Sequence, residues 1–288
     1  MRNKTEIDIV FIVLSILFVS AAMNHENTLV IEKRSRVQID STQFDFVFTR
    51  EDWRPEQTAL IICDMWDKHW CPTASERVAE LAPFMNQVVK IARKKGIFII
   101  HAPSDVTDFY AGHPARERAI HAPKSDHLPS DIQNWCYWLN EDEQKVYPID
   151  QSDGGCECED CSSYIAWSRQ VEAIEIEDSD AISSSGEEIW NLMDTRGIHN
   201  VMIVGVHTNM CVLGRPFGLR NMARYGKNVV LIRDLTDTMY NPKSWPYVDH
   251  FTGTELIVEH IEKYVCPTIS STTLTGEAPF RFKDDNPH

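Results

Sequence analysis

Four apolar runs punctuate the chain, and each gives way abruptly to polar or glycine-containing sequence: Thr58 to Cys63, Ile97 to Ile100, Val201 to Val204 and Val229 to Ile232. They lack the two-residue alternation of a half-exposed strand, so they read as strands covered on both faces, as in a parallel sheet. Between the first two, Val78, Leu81, Phe84, Val88, Val89, Ile91 and Ala92 recur at helical spacing from Ala74 to Lys95, and Gly96 closes that helix. Further helices are predicted over Gly186 to Arg196, Cys211 to Tyr225 and Gly253 to Tyr264. Weaker strand character marks Ala173 to Ile176 and Thr268 to Leu274. Strands alternating with helices across short glycine turns give a three-layer α/β/α fold around a mostly parallel sheet.

This pattern divides the chain. Residues 57–275 form the α/β domain, and 23–56 read as a polar N-terminal arm with edge elements. Residues 276–288 are a C-terminal tail. Within the domain, 103–170 break the periodicity with many Pro, Gly, Asp, Cys and Trp residues. An elaboration this long is expected to be functional or cross-linked. At the N-terminus, Arg2 and Lys4 precede the apolar run Ile9 to Val19, which ends in Ser20-Ala21-Ala22. That is the pattern of a secretory signal peptide over 1–22, placing the mature chain in a secreted or periplasmic location without stable membrane insertion. A net charge of −15 argues against a nucleic-acid partner, because phosphate binding needs a dense basic patch. A homo-oligomer is compatible with the composition.

Export changes the reading of the eight cysteines. The cluster Cys156-Glu157-Cys158-Glu159-Asp160-Cys161 is expected to form a disulfide-stapled loop, with Cys136 or Cys71 as further partners. Zinc is the competing reading, but the cluster lacks an obvious fourth ligand and the usual paired spacing.

The candidate chemistry lies where the apolar runs end, since ligands of such sheets bind at the carboxyl ends of strands. Asp64 follows the first strand beside Trp66, and partial desolvation would raise its pKa toward neutrality. Cys211, in Gly205-Val206-His207-Thr208-Asn209-Met210-Cys211, follows the third. It is either a small buried hydrophobe or a nucleophile whose thiolate is favoured by a helix N-terminus.

Together these residues resemble the isochorismatase-like cysteine hydrolase superfamily, which includes nicotinamidases, N-carbamoyl-amide hydrolases and isochorismatases. The resemblance runs from about Thr58 to Leu274 and is strongest over Val201 to Val212 and Val229 to Asp234. It implies Cys211 as nucleophile, Asp64 as acid/base, a cis Val206–His207 peptide, and an oxyanion hole from the N–H groups of His207 and Cys211. It also calls for a lysine where this chain has Glu175, or else Glu177. Some nicotinamidase-like members hold a metal here, for which His69, His101, Asp105 and His113 are the weak candidates. No cofactor is required, and zinc is the metal those ligands would suit. Trp66, His101 and Arg215 are candidates for contact with a small-molecule substrate.

The implied activity is that of an exported hydrolase cleaving an amide-type C–N bond through a Cys211 thioester. Two alternatives follow from the absent lysine. One is a non-catalytic or divergent small-molecule-binding protein of the same fold. The other is an isochorismatase-type vinyl-ether hydrolase that pairs two acids and forms no covalent intermediate.

Overall fold

The computed structural model describes residues 28–40, 43–158 and 161–285. The expected signal peptide lies outside them. Eight strands form a single sheet: β1 (Leu29–Gln38), β2 (Phe44–Trp53), β3 (Thr58–Cys63), β4 (Phe98–Ala102), β5 (Ala181–Ile182), β6 (Asn200–Val206), β7 (Asn228–Asp237) and β8 (Thr268–Ile269). Their order is β2-β1-β8-β7-β6-β3-β4-β5. From β8 to β5 every neighbouring pair is parallel, so β3 lies centrally between β6 and β4.

All six residues of β3 are buried, which is why its sequence is apolar without alternation. One face carries the helix α1 (Pro72–Lys95), whose Val78, Leu81, Met85 and Val89 pack with Leu60 and Ile62. The other carries α4 (Gly186–Thr195), α5 (Leu219–Arg224) and α6 (His250–Tyr264), whose buried side chains meet Ala59 and Ile61. Alternate β3 residues thus serve opposite layers, and each fully buried isoleucine contributes about 2 kcal/mol. Gly96 ends α1 in the left-handed conformation, with Arg93, Lys94 and Lys95 in the last turn. Basic residues there complement the helix dipole.

The N-terminal arm is more regular than expected. β1 and β2 form an antiparallel hairpin registered from Leu29↔Trp53 to Gln38↔Phe44, and β1 joins the sheet edge through Arg34↔Thr268. At its start β1 does alternate, with Leu29, Ile31 and Lys33 buried and Val30 and Glu32 exposed. The elaboration holds two short helices, α2 (Pro114–Ile120) and α3 (Glu141–Lys145). It is tied down by the buried pair Arg220–Glu143, with the Nε of Arg220 2.7 Å from the carboxylate. The C-terminal segment packs onto the domain: Phe280 meets Phe84 of α1, and Phe282 meets Phe251 of α6. A last turn, α7 (Thr272–Thr275), occupies part of the segment expected to be a strand.

Two further expectations are corrected. Residues 173–176 are not a strand. Ile174 alone is buried there, while Glu175 faces solvent, and the strand pairing with β4 comes later and briefly at β5. Nor does one helix run from Cys211 to Tyr225. The chain makes a π-type turn over Thr208–Val212, continues helically through Leu213 and Gly214, breaks over Arg215, Pro216, Phe217 and Gly218, and only then enters α5. Proline cannot donate to a helical ladder, so the apolar periodicity spans an interruption it does not register.

Candidate active site

Asp64 leaves β3 in the left-handed region (φ 47°) and is fully buried. Its conformation aims the carboxylate across the carboxyl ends of the central strands. One oxygen accepts the Ser104 N–H, which follows β4, at 2.8 Å. The other lies 3.2 Å from the Nε of Arg215. The Cys211 side chain, arriving after β6, comes near enough to the same carboxylate for each group to shift the other's titration. Three adjacent strands therefore bring Asp64, Ser104 and Cys211 to one point.

The turn carrying Cys211 is held residue by residue. Gly205 has φ 109°, and a Cβ there would lie 2.0 Å from the Cys63 carbonyl oxygen, so no other residue fits between β3 and β6. Val206–His207 is a cis peptide, as the resemblance implies. The Thr208 hydroxyl donates to Thr236 Oγ1 (2.6 Å), which in turn donates to the Gly205 carbonyl (2.7 Å). The Asn209 amide grips the Met239 backbone twice, donating to its carbonyl and accepting its N–H, each at 2.9 Å. Thr208 and Asn209 thus work as braces for Cys211.

The electrostatics differ from the expectation for a helix-opening cysteine. Cys211 is the fourth residue of the π-type turn and is 7% exposed. Burial, and then the charge of Asp64, push its thiol above the ordinary cysteine range, while Arg215 pulls the other way. Burial also raises Asp64, against the pull of Arg215 and the Ser104 N–H. At rest the pair is a thiol facing a carboxylate, with a guanidinium on the carboxylate's far side.

Arg215 thus stands as the positive charge that the absent lysine left unsupplied. It also pairs with Asp105 at 3.5 Å and lies 5.4 Å from the Trp135 ring centroid. The sequence signal for this was present, because Arg215 follows Cys211 by four residues, one helical turn. Glu175 is not brought to the dyad. It is exposed and paired with Lys90 at 2.5 Å, and Glu177 pairs with Arg93 at 3.1 Å. Both sit in the turn beside α1, where solvent and basic partners stabilise their charges. The acid pair of the vinyl-ether alternative therefore loses its second acid.

His101 lies within β4, fully buried, between Gln170 (3.0 Å) and Asp180 (3.1 Å). It ties the elaboration to the sheet and presents no ring nitrogen to a substrate. The other weak metal candidates go to separate partners: His69 stacks among aromatics, Asp105 pairs with Arg215, and His113 caps α2 at Ala115 N (3.1 Å). Among the described residues they form no common ligand set. All eight cysteines are free thiols, so the expected disulfide staple is not formed.

Aromatic rings wall one side of the site. Trp66 stacks on Trp167 at 4.1 Å between centroids and donates its indole N–H to the Ser104 carbonyl at 3.1 Å. His69 continues the stack onto Trp167 and meets the His207 ring edge-on at 4.8 Å. Burial, with His69 adding to it, holds His207 well below the ordinary histidine range, so its ring is neutral. Trp135 packs against Gly214, where a Cβ would come within 2.4 Å of the indole. The elaboration thus supplies Trp135 and Trp167 to the site.

No family model matches the chain, and no curated protein does. Among solved structures, a cysteine hydrolase from Pseudomonas syringae pv. phaseolicola 1448A is 17% identical, covers 76% of this chain and 91% of its own, and has a TM-score of 0.46. An isochorismatase family protein from Burkholderia thailandensis is 14% identical, with coverage of 77% and 95% and a TM-score of 0.44. Another, from Desulfovibrio vulgaris subsp. vulgaris str. Hildenborough, is 15% identical, with coverage of 76% and 97% and a TM-score of 0.44. Likenesses this distant add no argument about the chemistry, which rests on Asp64, Cys211 and Arg215 themselves.

Proposed function

We propose that the chain is a cysteine hydrolase of the isochorismatase-like kind that cleaves an amide-type C–N bond of a small molecule. The observation that carries this reading is the convergence of Cys211 and Asp64, both buried where β6 and β3 end, with one Asp64 oxygen held by Arg215. A buried carboxylate is an expensive group to keep, and stability alone gives no reason to face it with a thiol.

In the reaction, the Cys211 thiol proton passes to Asp64 as sulfur attacks the substrate carbonyl. The backbone N–H groups of His207 and Cys211 hold the resulting oxyanion. Asp64 returns the proton to the departing nitrogen as the C–N bond breaks, leaving a thioester on Cys211. Asp64 then takes a proton from a water whose oxygen attacks the thioester carbonyl, the C–S bond breaks to release the carboxylic or carbamic acid, and Asp64 passes that proton to the departing sulfur to restore the thiol. Arg215 favours the ionised form of Asp64 before it accepts each proton. The stacked indoles of Trp66 and Trp167 suit a flat, largely apolar substrate body.

A panel of small amides and ureides, assayed by release of ammonia or amine, tests the reading. Wild-type protein is expected to turn over a member of the panel, and Cys211→Ala to turn over none. Full activity in Cys211→Ala would overturn the mechanism.

A further inference from the structure

Behind the aromatic wall, the structure assembles thiols that are distant in sequence. The sulfur atoms of Cys71, Cys156 and Cys158 all lie within 4.8 Å of one another. Cys71 and Cys156 are buried, and Cys161 packs, half-buried, against the same cluster as a fourth thiol. We propose that Cys71, Cys156, Cys158 and Cys161 bind one zinc ion as a structural tetrathiolate site, separate from Cys211.

Three clustered cysteines lack a fourth partner in sequence, and Cys71 supplies it from the N-terminus of α1. The spacing suits a metal better than a bridge. Tetrahedral zinc with Zn–S bonds of about 2.3 Å places its sulfurs roughly 3.8 Å apart, so three sulfurs approach one another at once. A disulfide would join two and leave the third stranded.

The surroundings are built to hold the sulfurs and accept their charge. Cys71 is the N-cap of α1, a 24-residue helix, and its sulfur lies 3.3 Å from the Thr73 hydroxyl in the first turn. Each thiol that binds gives up its proton, so a four-thiolate zinc site carries a net charge of −2. Arg77, one turn into α1, faces Cys71 and already pairs with Glu157 at 3.0 Å. It is the cation placed to offset that charge.

The loop is also fixed in place before any metal binds. Gly155 has φ 72°, and a Cβ there would sit 2.3 Å from the Met239 carbonyl oxygen, so the chain entering Cys156 presses directly on the end of β7. Asp153 braces the same loop, accepting from Gly155 N at 2.8 Å and from Ser244 Oγ at 2.7 Å. On the other side, His69 Nδ1 accepts the Cys71 N–H at 3.1 Å and its ring meets His207. Zinc here would pin the elaboration to α1 directly behind the active-site wall.

The test uses the full chain, purified with a thiol reductant and without chelator, with elemental analysis after gel filtration against a weak chelator. One zinc per chain is expected. Replacement by Co2+ should give intense near-ultraviolet thiolate-to-cobalt absorption and the visible bands of a tetrahedral ion. Cys156→Ser and Cys158→Ser should lose stoichiometric zinc, whereas Cys136→Ser should retain it. Substoichiometric zinc after reconstitution, with intact mass and peptide mapping showing Cys71 bridged to Cys156 or Cys158, would overturn the proposal. So would zinc retained equally by the loop variants. The cobalt spectrum of the unmutated chain decides the matter should a serine variant fail to fold.

Discussion

Replacing Arg215 by Met would leave the Asp64 carboxylate buried with little beyond the Ser104 N–H to stabilise it. Uncompensated charge of this kind costs about 3 kcal/mol, so Arg215→Met should be measurably less stable in urea and have a higher Asp64 pKa. Turnover should fall about 100-fold, as for loss of one electrostatic anchor, and Arg215→Lys should recover part of it by keeping the charge without the planar fork. Asp64→Asn separates the resting state from the reaction. Because Asp64 raises the Cys211 thiol, its neutralisation removes that carboxylate's opposition while Arg215 stays charged, and lowers the thiol pKa. Alkylation of Cys211 by iodoacetamide at neutral pH should therefore accelerate in Asp64→Asn while turnover disappears. Slower alkylation in a folded Asp64→Asn would show that Asp64 generates a resting thiolate instead. Asp64, Cys211 and the cis peptide were legible because each follows an apolar run and joins a recognisable motif. Arg215 was a candidate too, one turn past Cys211, but its pairing with Asp64 was not legible, since Glu175 aligned where a lysine was sought and the pairing is set by the geometry of a turn.

At the scale of elements, the buried strands were the most legible part of the chain. β3, β4, β6 and β7 are covered on both faces, so solvent writes no alternation into them. The hairpin of β1 and β2 was hidden because β2 is exposed along most of its length, so the alternation of Phe44, Phe46 and Phe48 answers to no buried face. The segment 173–176 misled in the opposite way, since a single buried isoleucine inside a turn imitates a strand residue. The helix after Cys211 was overextended because hydrophobic spacing persists across Pro216 and Gly218 although the hydrogen-bond ladder does not. The turn itself yields a sharp prediction. Gly205→Ala must displace the Cys63 carbonyl at the centre of the sheet and should prevent accumulation of folded protein. Thr208→Val removes only the link to Thr236 and should cost about 1 kcal/mol, read from denaturant midpoints, with a loss of turnover larger than that of stability.

Across the whole molecule, a buried ionic network joins α1, β7 and α6 behind the site. Asp237 lies 2.8 Å from both Arg77 and His250, and His250 also meets Glu157 at 3.0 Å. Burial opposes both charges but is outweighed by these partners, so His250 is raised to about 9 and Asp237 lowered to about 2. For His250 the folded value lies above the unfolded one. Its contribution is therefore complete below about pH 6.5 and lost as pH rises through about 9. For Asp237 the contribution is present above about pH 4 and lost as pH falls through about 2. The thermal midpoint should accordingly decline between pH 6.5 and 9, and His250→Gln should flatten that decline while lowering stability at pH 6. An unchanged slope in His250→Gln would assign the pH dependence to another group. None of this network was visible in sequence, because Arg77, Asp237 and His250 lie far apart in the chain and converge only through the crossing of α1 and β7.

The central claim, a covalent nucleophile at Cys211, is most directly tested by intact-mass spectrometry of rapidly quenched protein during turnover of an amide or ureide substrate, followed by peptide mapping. The account predicts an added acyl mass on the peptide containing Cys211, absent from Cys211→Ser. Turnover with no adduct on Cys211, or an adduct on another residue that persists in Cys211→Ser, would contradict it.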